Sequence, residues 1–347
     1  MLLLSGARLA DGRAVDVRLR GERIDAVAPA GTLGAPERVD LTGYLLLPAP
    51  ADPHTHLDAA FTAERPPPSG ADAPPEGAEL PRRVIEAALT GLGYGATAQR
   101  THVLVDGPDG PARLLASLQA ARDLRGLMEL QVVAVTATGD LAALRAALDE
   151  GAEAVGGAGP TDPHAVLALG ARCGVPVDLH TTAVLAAVPE GVPHLLLCGP
   201  DRAPAGADLC VLPQSSRCVL GTAGPSGTVA GSGALRDAAN PVGRADPLEA
   251  AFLLSARSGL RPEAAYARVS AAARRALGLR PVTVEPGHPA ELLAVRGNNL
   301  EAALAAGHSR VVIHRGRIVS RTSAVREFSD PVPAWRPLPR QNLPRRP

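Results

Sequence analysis

The chain has 347 residues, of which 46% are hydrophobic and only 2% aromatic, so a large core must be built from Ala, Val and Leu. The 35 basic and 35 acidic residues balance, and we therefore expect no nucleic-acid partner and no acidic lipid surface. Every basic residue is Arg, and the absence of Lys excludes a Schiff base, a P-loop lysine and a carboxylated-lysine metal bridge.

The number and spacing of the four cysteines predict the cellular compartment of the protein. Cys173, Cys198, Cys210 and Cys218 show no C-x-x-C spacing, which argues against a zinc knuckle or a redox motif. Their number and scatter suit a reducing compartment better than a disulfide framework. The apolar run in "MLLLSGARLADGR" is too short for a signal peptide or a membrane span. We expect a cytoplasmic protein with no membrane partner, and a homo-oligomer is left open.

Short β-type segments occur at both ends of the chain. Residues 15–20 alternate apolar and polar side chains, as a half-buried strand does, and "VTVEPGHPAELLAV" and "RVVIHRGRIVS" show similar runs near the other end. We predict one small composite β-sandwich from residues 1–48 and 282–322. Residues 49–281 then form a separate domain, and residues 323–347 a Pro/Arg-rich extended tail.

The middle of the chain reads as strands that alternate with helices, which is typical of a parallel sheet. The strands are predicted in "QRTHVLVD", "MELQVVAVT", "AEAVGGAG" and "VPVDLHTT", and helices follow the first three. Three more predicted strands, "VPHLLLCG", "ADLCVLPQ" and "GTVAGSG", share residues 181–231. A βαβ unit needs about 30 residues, so their helices must be missing or vestigial. The fold class predicted is an α/β barrel that is partly trimmed in its second half.

Histidines follow two of the predicted barrel strands. His54 and His56 come at the end of the first strand, in "PADPHTHLDAA", and His180 ends "VPVDLH". Barrels place their active sites at the carboxyl ends of their strands. Three imidazoles that converge there could hold a divalent metal and leave a position open for water. The alternative is that these are relic or structural histidines.

The motifs resemble those of a known superfamily. "LPAPADPHTHLDAA" is similar to the first-strand motif of the amidohydrolases, and "QRTHVLVD", "ELQVVAV", "VDLHTT" and "RDAANPVGRADPLEAA" resemble the cytosine deaminase branch, in order over residues 1–322. The resemblance implies a TIM-type (β/α)8 barrel with a composite β-sandwich. It also implies one divalent metal ion, zinc or iron, held by His54, His56 and His180, and a small-molecule substrate whose C–N bond is hydrolysed by metal-activated water.

The sequence departs from the family at several catalytic positions. Ala183 stands where the family has a proton-shuttling Glu, and Gly233 where it has the eighth-strand Asp. Ala137 replaces an expected amide side chain, and Cys198 stands at the strand end where a His is expected, with His194 four residues earlier. Hydrolysis needs a base and an acid, so these losses bring turnover into question.

Other residues are candidates for the missing roles. Asp237 and Asp58 are the candidate catalytic carboxylates, although a loop-capping role is the alternative for Asp58. Arg100 and Cys198 are candidate substrate-binding residues; the alternatives are a structural Arg and a buried thiol. His102 is expected to pack inside the barrel or to make a structural hydrogen bond.

Two functions remain open. One is a cytosine deaminase-like hydrolase of non-peptide C–N bonds in a small cyclic amide or amidine. The other is a catalytically degenerate pseudoenzyme that keeps the fold as a binding or scaffold protein.

Overall fold

The structure, a computed structural model, describes residues 1–63, 79–183, 185–199, 203–214 and 228–324. Contacts between Cα atoms divide the chain into two units, one of which is Pro48–Val282. The other joins Met1–Leu47 to the segment that begins at Thr283. Of the predicted tail, residues 325–347 lie outside the described part of the chain.

The first unit is a mixed eight-stranded sheet made from both ends of the chain. The strand order is β16-β15-β14-β5-β1-β2-β3, with β4 beside β1. Val15 and Val17 of the strand Ala14–Arg20 are buried as the sequence predicts. Asp16 between them is also buried, which departs from the predicted alternation, and it accepts the N–H groups of Gly6 and Gly31. The elements are β1 Leu2–Arg8, β2 Ala14–Arg20, β3 Arg23–Pro29, β4 Glu37–Asp40, β5 Tyr44–Pro48, β14 Leu292–Arg296, α8 Leu300–Ala306, β15 Arg310–His314 and β16 Arg317–Thr322.

The second unit contains a parallel sheet in which eight strands follow one another in chain order. The predicted α/β barrel with a separate β unit is thereby confirmed. Its strands are β6 Ala51–Thr55, β7 Ala98–Leu104, β8 Glu129–Thr136, β9 Ala154–Gly157, β10 Val177–His180, β11 Leu195–Cys198, β12 Ala207–Val211 and β13 Thr228–Ala230.

Helices cover the first half of this sheet, and their ends follow local sequence signals. Asp140 and Asp162 accept backbone N–H hydrogen bonds at the starts of α3 and α4. Gly151 and Gly174 end the same helices in the left-handed conformation. The helices are α1 Leu80–Gly93, α2 Gly110–Asp123, α3 Leu141–Glu150, α4 Pro163–Cys173, α5 Pro247–Ser258, α6 Pro262–Val269 and α7 Ala271–Ala276.

In the described residues the second half of the barrel agrees with the predicted trimming, while residues 184, 200–202 and 215–227 lie outside the described part of the chain. The connections from β10 to β13 contain no helix in the parts that the structure describes, residues 181–183, 185–194, 199, 203–206 and 212–214. One helical segment of the sequence is also interrupted, because Ser270 separates α6 from α7. Its hydroxyl donates to the carbonyl of Tyr266, four residues earlier, a bond that competes with helical hydrogen bonding.

The end strands of the parallel sheet, β6 and β13, are not paired with each other in a ladder in the described part of the chain. The segment after β13 makes hydrogen bonds to β6 instead. The Gly233 N–H donates to the His54 carbonyl at 2.9 Å, and the Ser232 N–H donates to the Asp52 carboxylate at 3.0 Å. The backbone that follows the eighth strand is therefore hydrogen-bonded to the first strand at Asp52 and His54. Within the described ranges, no helix is long and apolar enough to cross a membrane.

Candidate metal centre

The three predicted metal ligands lie at the carboxyl ends of two barrel strands. His54 is in β6, His56 directly follows that strand, and His180 is the last residue of β10. Residues two apart on a strand face the same side, so His54 and His56 point into the barrel together. His54 is almost completely buried, whereas His56 and His180 are partly exposed.

The three imidazoles meet at one point. His54 Nε2 lies 2.9 Å from His180 Nε2, and the ring centroids of His54 and His56 are 5.1 Å apart. One ring nitrogen from each histidine lies within 4.8 Å of the other two. The structure therefore brings together the residues chosen from sequence, while metal binding by them stays a prediction.

Burial keeps these imidazoles neutral. It lowers the pKa of His56 to about 4 and that of His180 to about 3, and the charges of nearby histidines act in the same direction. Burial also lowers the pKa of His54 well below its usual range. A neutral imidazole keeps a free lone pair, the form that binds metals. The buried Nδ1 of His180 has no hydrogen-bond partner among the described residues, so the donor set fits a divalent ion.

Two thiols lie on the other side of the His54 ring. Cys198 Sγ is 3.2 Å from His54 Nδ1, and Cys210 pairs with Cys198 across β11 and β12. Ligand atoms of His54, Cys198 and Cys210 again lie within 4.8 Å of one another. The predicted substrate contact of Cys198 stays a prediction, since what the structure shows at this thiol is the edge of the histidine cluster.

A network of buried polar side chains contacts the histidine cluster through the ring of His102. Arg100 Nη1 lies 3.1 Å from Asp178 Oδ1, and the remaining guanidinium nitrogens donate to Gln131 Oε1 at 2.8 and 3.0 Å. His102 Nε2 is 2.9 Å from Asp178 Oδ2, and its ring stacks on His54 at 4.1 Å. This is the structural hydrogen bond expected of His102. Arg100 has the arrangement of its alternative, a structural Arg, and substrate binding by it stays a prediction.

The charge of Asp178 is fixed by this network. Although burial opposes ionisation, the Arg100 guanidinium and the hydrogen bond from His102 lower the pKa of Asp178 to about 2. Asp178 therefore remains a carboxylate that orients His102 and neutralises Arg100.

The two candidate carboxylates lie in the segments that follow β6 and β13. Asp58 is in a short 3-10 helix, Leu57–Ala59, and burial raises its pKa against the nearby charge of Arg113. Asp237 Oδ1 accepts the N–H groups of Ala239 and Asn240 at 2.9 Å, which makes it the capping residue of a turn. Neither carboxylate belongs to the two groups of potential metal ligands, and the catalytic role of each stays a prediction.

The positions that depart from the family motif carry no acid or base. Ala183 is exposed, and Gly233 has a φ of +73° in which a larger side chain would be strained. Ala137 donates its N–H to Asp106. His194 precedes β11 and pairs with Asp208 at 2.9 Å, which places it away from the carboxyl end of that strand.

Sequence reasoning missed three buried polar residues of this region. Asp178 and Asp52 each stand two residues before a candidate histidine on the same strand, and this spacing could have identified both. Burial raises the pKa of Asp52 to about 6, against hydrogen bonds from Ser232 and His54. Cys210 gave no such signal, because its place beside Cys198 depends on the register of two strands.

Known proteins of similar sequence or fold include an amidohydrolase and a deaminase. No family model matches the chain. The chain is 32% identical over 183 residues to N-isopropylammelide isopropyl amidohydrolase of Pseudomonas sp. (strain ADP). That alignment covers 46% of this chain and 45% of the relative, so the chain matches about half of the relative's length.

Solved structures of similar proteins cover nearly all of the chain. N-isopropylammelide isopropylaminohydrolase from Burkholderia multivorans ATCC 17616 has a TM-score of 0.73 at 24% identity, over 92% of this chain and 98% of that one. A 5-methylcytosine deaminase from Klebsiella pneumoniae has a TM-score of 0.75 at 17% identity, over 94% and 99%. The resemblance to the amidohydrolase superfamily is confirmed. At these identities the solved structures show the shared fold alone.

Proposed function

We propose that this protein is a metal-dependent hydrolase of non-peptide C–N bonds in a small cyclic amide or amidine. The observation that carries the proposal is the meeting of His54, His56 and His180 at the mouth of an amidohydrolase-type barrel. Relatives named for N-isopropylammelide and 5-methylcytosine support a ring substrate that bears an amino or alkylamino group.

The metal we propose is one divalent ion, zinc or iron, since three imidazole ligands suit either. When bound, such an ion activates a water molecule for attack on the ring carbon. His54, His56 and His180 would hold it, and they are neutral without needing to lose a proton. Asp178 and His102 position the cluster through the ring of His54.

Acid–base groups must come from residues outside the family positions. We assign the proton donor for the leaving nitrogen to Asp58, whose pKa is raised by burial, which favours its protonated form. Asp237 is the proposed base, because two backbone N–H groups hold its carboxylate in place. A positioned acid or base contributes about 10²- to 10⁴-fold, so an enzyme with imperfectly placed groups turns over slowly.

A second candidate function is favoured by one observation. Neither group of potential metal ligands in the described residues includes a carboxylate, and Ala183 and Gly233 occupy the family positions of Glu and Asp. A chain of this kind could bind a metal and a small molecule without turnover, as a pseudoenzyme. We also propose a cytoplasmic location, since Cys173, Cys198 and Cys210 are free thiols, as in a reducing compartment.

The experiment that tests these functions combines metal content with turnover. The purified protein is loaded with Zn²⁺ or Fe²⁺, and ammonia or amine release is measured with 5-methylcytosine, cytosine and N-isopropylammelide. The proposal expects about one equivalent of metal and release that His180→Ala abolishes. Metal retention with no release from any of these rings favours the pseudoenzyme. Release that persists in His180→Ala would exclude the three-histidine centre.

A further inference from the structure

The two ring nitrogens of His54 face different sets of ligand atoms. Nε2 faces His180 Nε2 at 2.9 Å, whereas Nδ1 faces Cys198 Sγ at 3.2 Å. On the Nδ1 side, Cys210 completes a triangle in which all ligand atoms lie within 4.8 Å of one another. The thiol side of His54 is therefore a second cluster of metal-ligating atoms, separate from His56 and His180.

The register of the barrel strands creates this cluster. His180, Cys198 and Cys210 are consecutive cross-strand partners in β10, β11 and β12, so their side chains stand side by side at one level of the barrel. His54 reaches the same level from β6, on the first strand. Cys173, by contrast, ends helix α4 and is partly exposed beside Arg145.

Charge balance favours a divalent ion on the thiol side. His54, Cys198 and Cys210 are 1%, 8% and 4% exposed, so a net charge among them would be costly. Two thiolates and a neutral imidazole balance a divalent cation to zero. The three histidines, which have no carboxylate in their group, leave the same cation with its full charge of +2.

We propose that His54, Cys198 and Cys210 form a site for a soft, thiophilic divalent ion, with Zn²⁺ as its physiological occupant. Thiolate and imidazole are the ligands that Zn²⁺ takes in tetrahedral sites, and thiolates select soft ions over Mg²⁺ or Ca²⁺. On binding, each thiol releases one proton to solvent and forms one metal–sulfur bond. The ion has three protein ligands and one further position.

This site goes beyond the proposed hydrolase centre and shares only His54 with it. A neutral imidazole has one lone-pair nitrogen, so a given tautomer of His54 serves one site at a time. Failure of the thiolate site would leave the three-histidine centre intact, and the converse also holds.

The test is a titration of the metal-free full-length protein with Cd²⁺ and Co²⁺. Binding through sulfur gives a thiolate-to-metal charge-transfer absorption that nitrogen ligands do not give. We expect about one equivalent of this signal. Cys198→Ser and Cys210→Ser should each remove most of it and weaken Cd²⁺ binding at least about tenfold, as loss of a ligand costs more than loss of a supporting residue. His56→Ala, His180→Ala and Cys173→Ser should keep it.

Two outcomes would overturn the proposal. One is a charge-transfer signal that survives in the Cys198→Ser/Cys210→Ser double variant. The other comes from X-ray absorption of the wild-type protein loaded with one equivalent of Cd²⁺, which needs no variant to fold. Two sulfur neighbours support the site, and nitrogen and oxygen neighbours alone contradict it.

Discussion

His102 and Asp178 share a hydrogen bond of 2.9 Å between Nε2 and Oδ2 in the interior of the barrel. Asp178 also neutralises Arg100, and both side chains are 2–3% exposed. His102 stacks on His54. The Asp178 carboxylate thus neutralises Arg100 in the barrel interior. It also orients the His102 ring, which lies next to the histidine cluster.

Asp178→Asn should therefore destabilise the protein strongly. The substitution leaves the Arg100 charge buried without its counterion, and breaking a buried pair in this way costs about 3–5 kcal/mol. The measurement is the free energy of unfolding in urea. Asp208→Asn is the matched control, because Asp208 lies on the same sheet, in β12, but its pair with His194 is about one-fifth exposed. That change should cost about 1 kcal/mol or less, and equal losses would contradict a structural role specific to Asp178.

Ala183→Glu should raise turnover if the protein is the proposed hydrolase. Position 183 is where the resemblance places a proton-shuttling Glu, and here it is an exposed Ala. A positioned acid–base group contributes about 10²- to 10⁴-fold, whereas a surface change costs at most about 0.5 kcal/mol of stability. The measurement is kcat for amine or ammonia release. Ala183→Gln has the same shape without the proton, and an equal gain from Gln would show that proton transfer is not the cause.

Much of the fold could be predicted because its signals are local. Asp at helix starts and Gly at helix ends delimit α3 and α4. The crowding of three strands into residues 181–231 predicted connections without helices, and the described residues of these connections contain none. The break at Ser270 could not be predicted with the same ease, since it depends on a hydroxyl that bonds to Tyr266 rather than on an apolar period.

The candidate site likewise contains residues that the sequence predicts and residues whose partnership depends on the assembled sheet. The two-residue period of a strand placed His54 and His56 on one face, and strand ends placed His180 at the same mouth. The partnership of Cys198 with Cys210 depends on how β11 and β12 align. Register between strands is a property of the assembled sheet, so a single strand's sequence does not contain it.

Gly231→Ala tests how tightly the barrel closes around His54. A Cβ at position 231 would lie 2.8 Å from His54 Cβ and 3.2 Å from the backbone nitrogen of His54, and neither atom can give way without a shift of the β6 backbone. Overpacking of this kind costs about 1–3 kcal/mol, and it should also weaken metal binding because His54 must shift. Calorimetric Zn²⁺ titration and urea unfolding measure the two effects. Gly126→Ala, which meets nothing within 4 Å, is the control; unchanged metal affinity in Gly231→Ala would contradict the close approach.

Acid should destabilise the metal-free protein through its buried imidazoles. Burial, with the charges of His102 and His56, lowers the pKa of His180 to about 3 in the folded state, whereas an unfolded histidine has a pKa of about 6.5. Between these values the unfolded chain binds a proton that the folded protein does not. The free energy of unfolding therefore falls as the pH is lowered from about 6.5 towards 3.

His180→Asn isolates this contribution, because Asn does not titrate. Between pH 7 and pH 5, urea unfolding in the presence of a chelator should show the wild type losing on the order of 1–2 kcal/mol more than His180→Asn. The lower end allows for the partial exposure of His180, since solvent screens part of the effect. His164→Asn removes an exposed imidazole near the start of α4 and should leave the wild-type loss unchanged. Parallel pH dependences for the wild type and His180→Asn would mean that His180 titrates normally in the folded protein. The cluster would then lose the neutral lone pair on which metal binding by His180 depends.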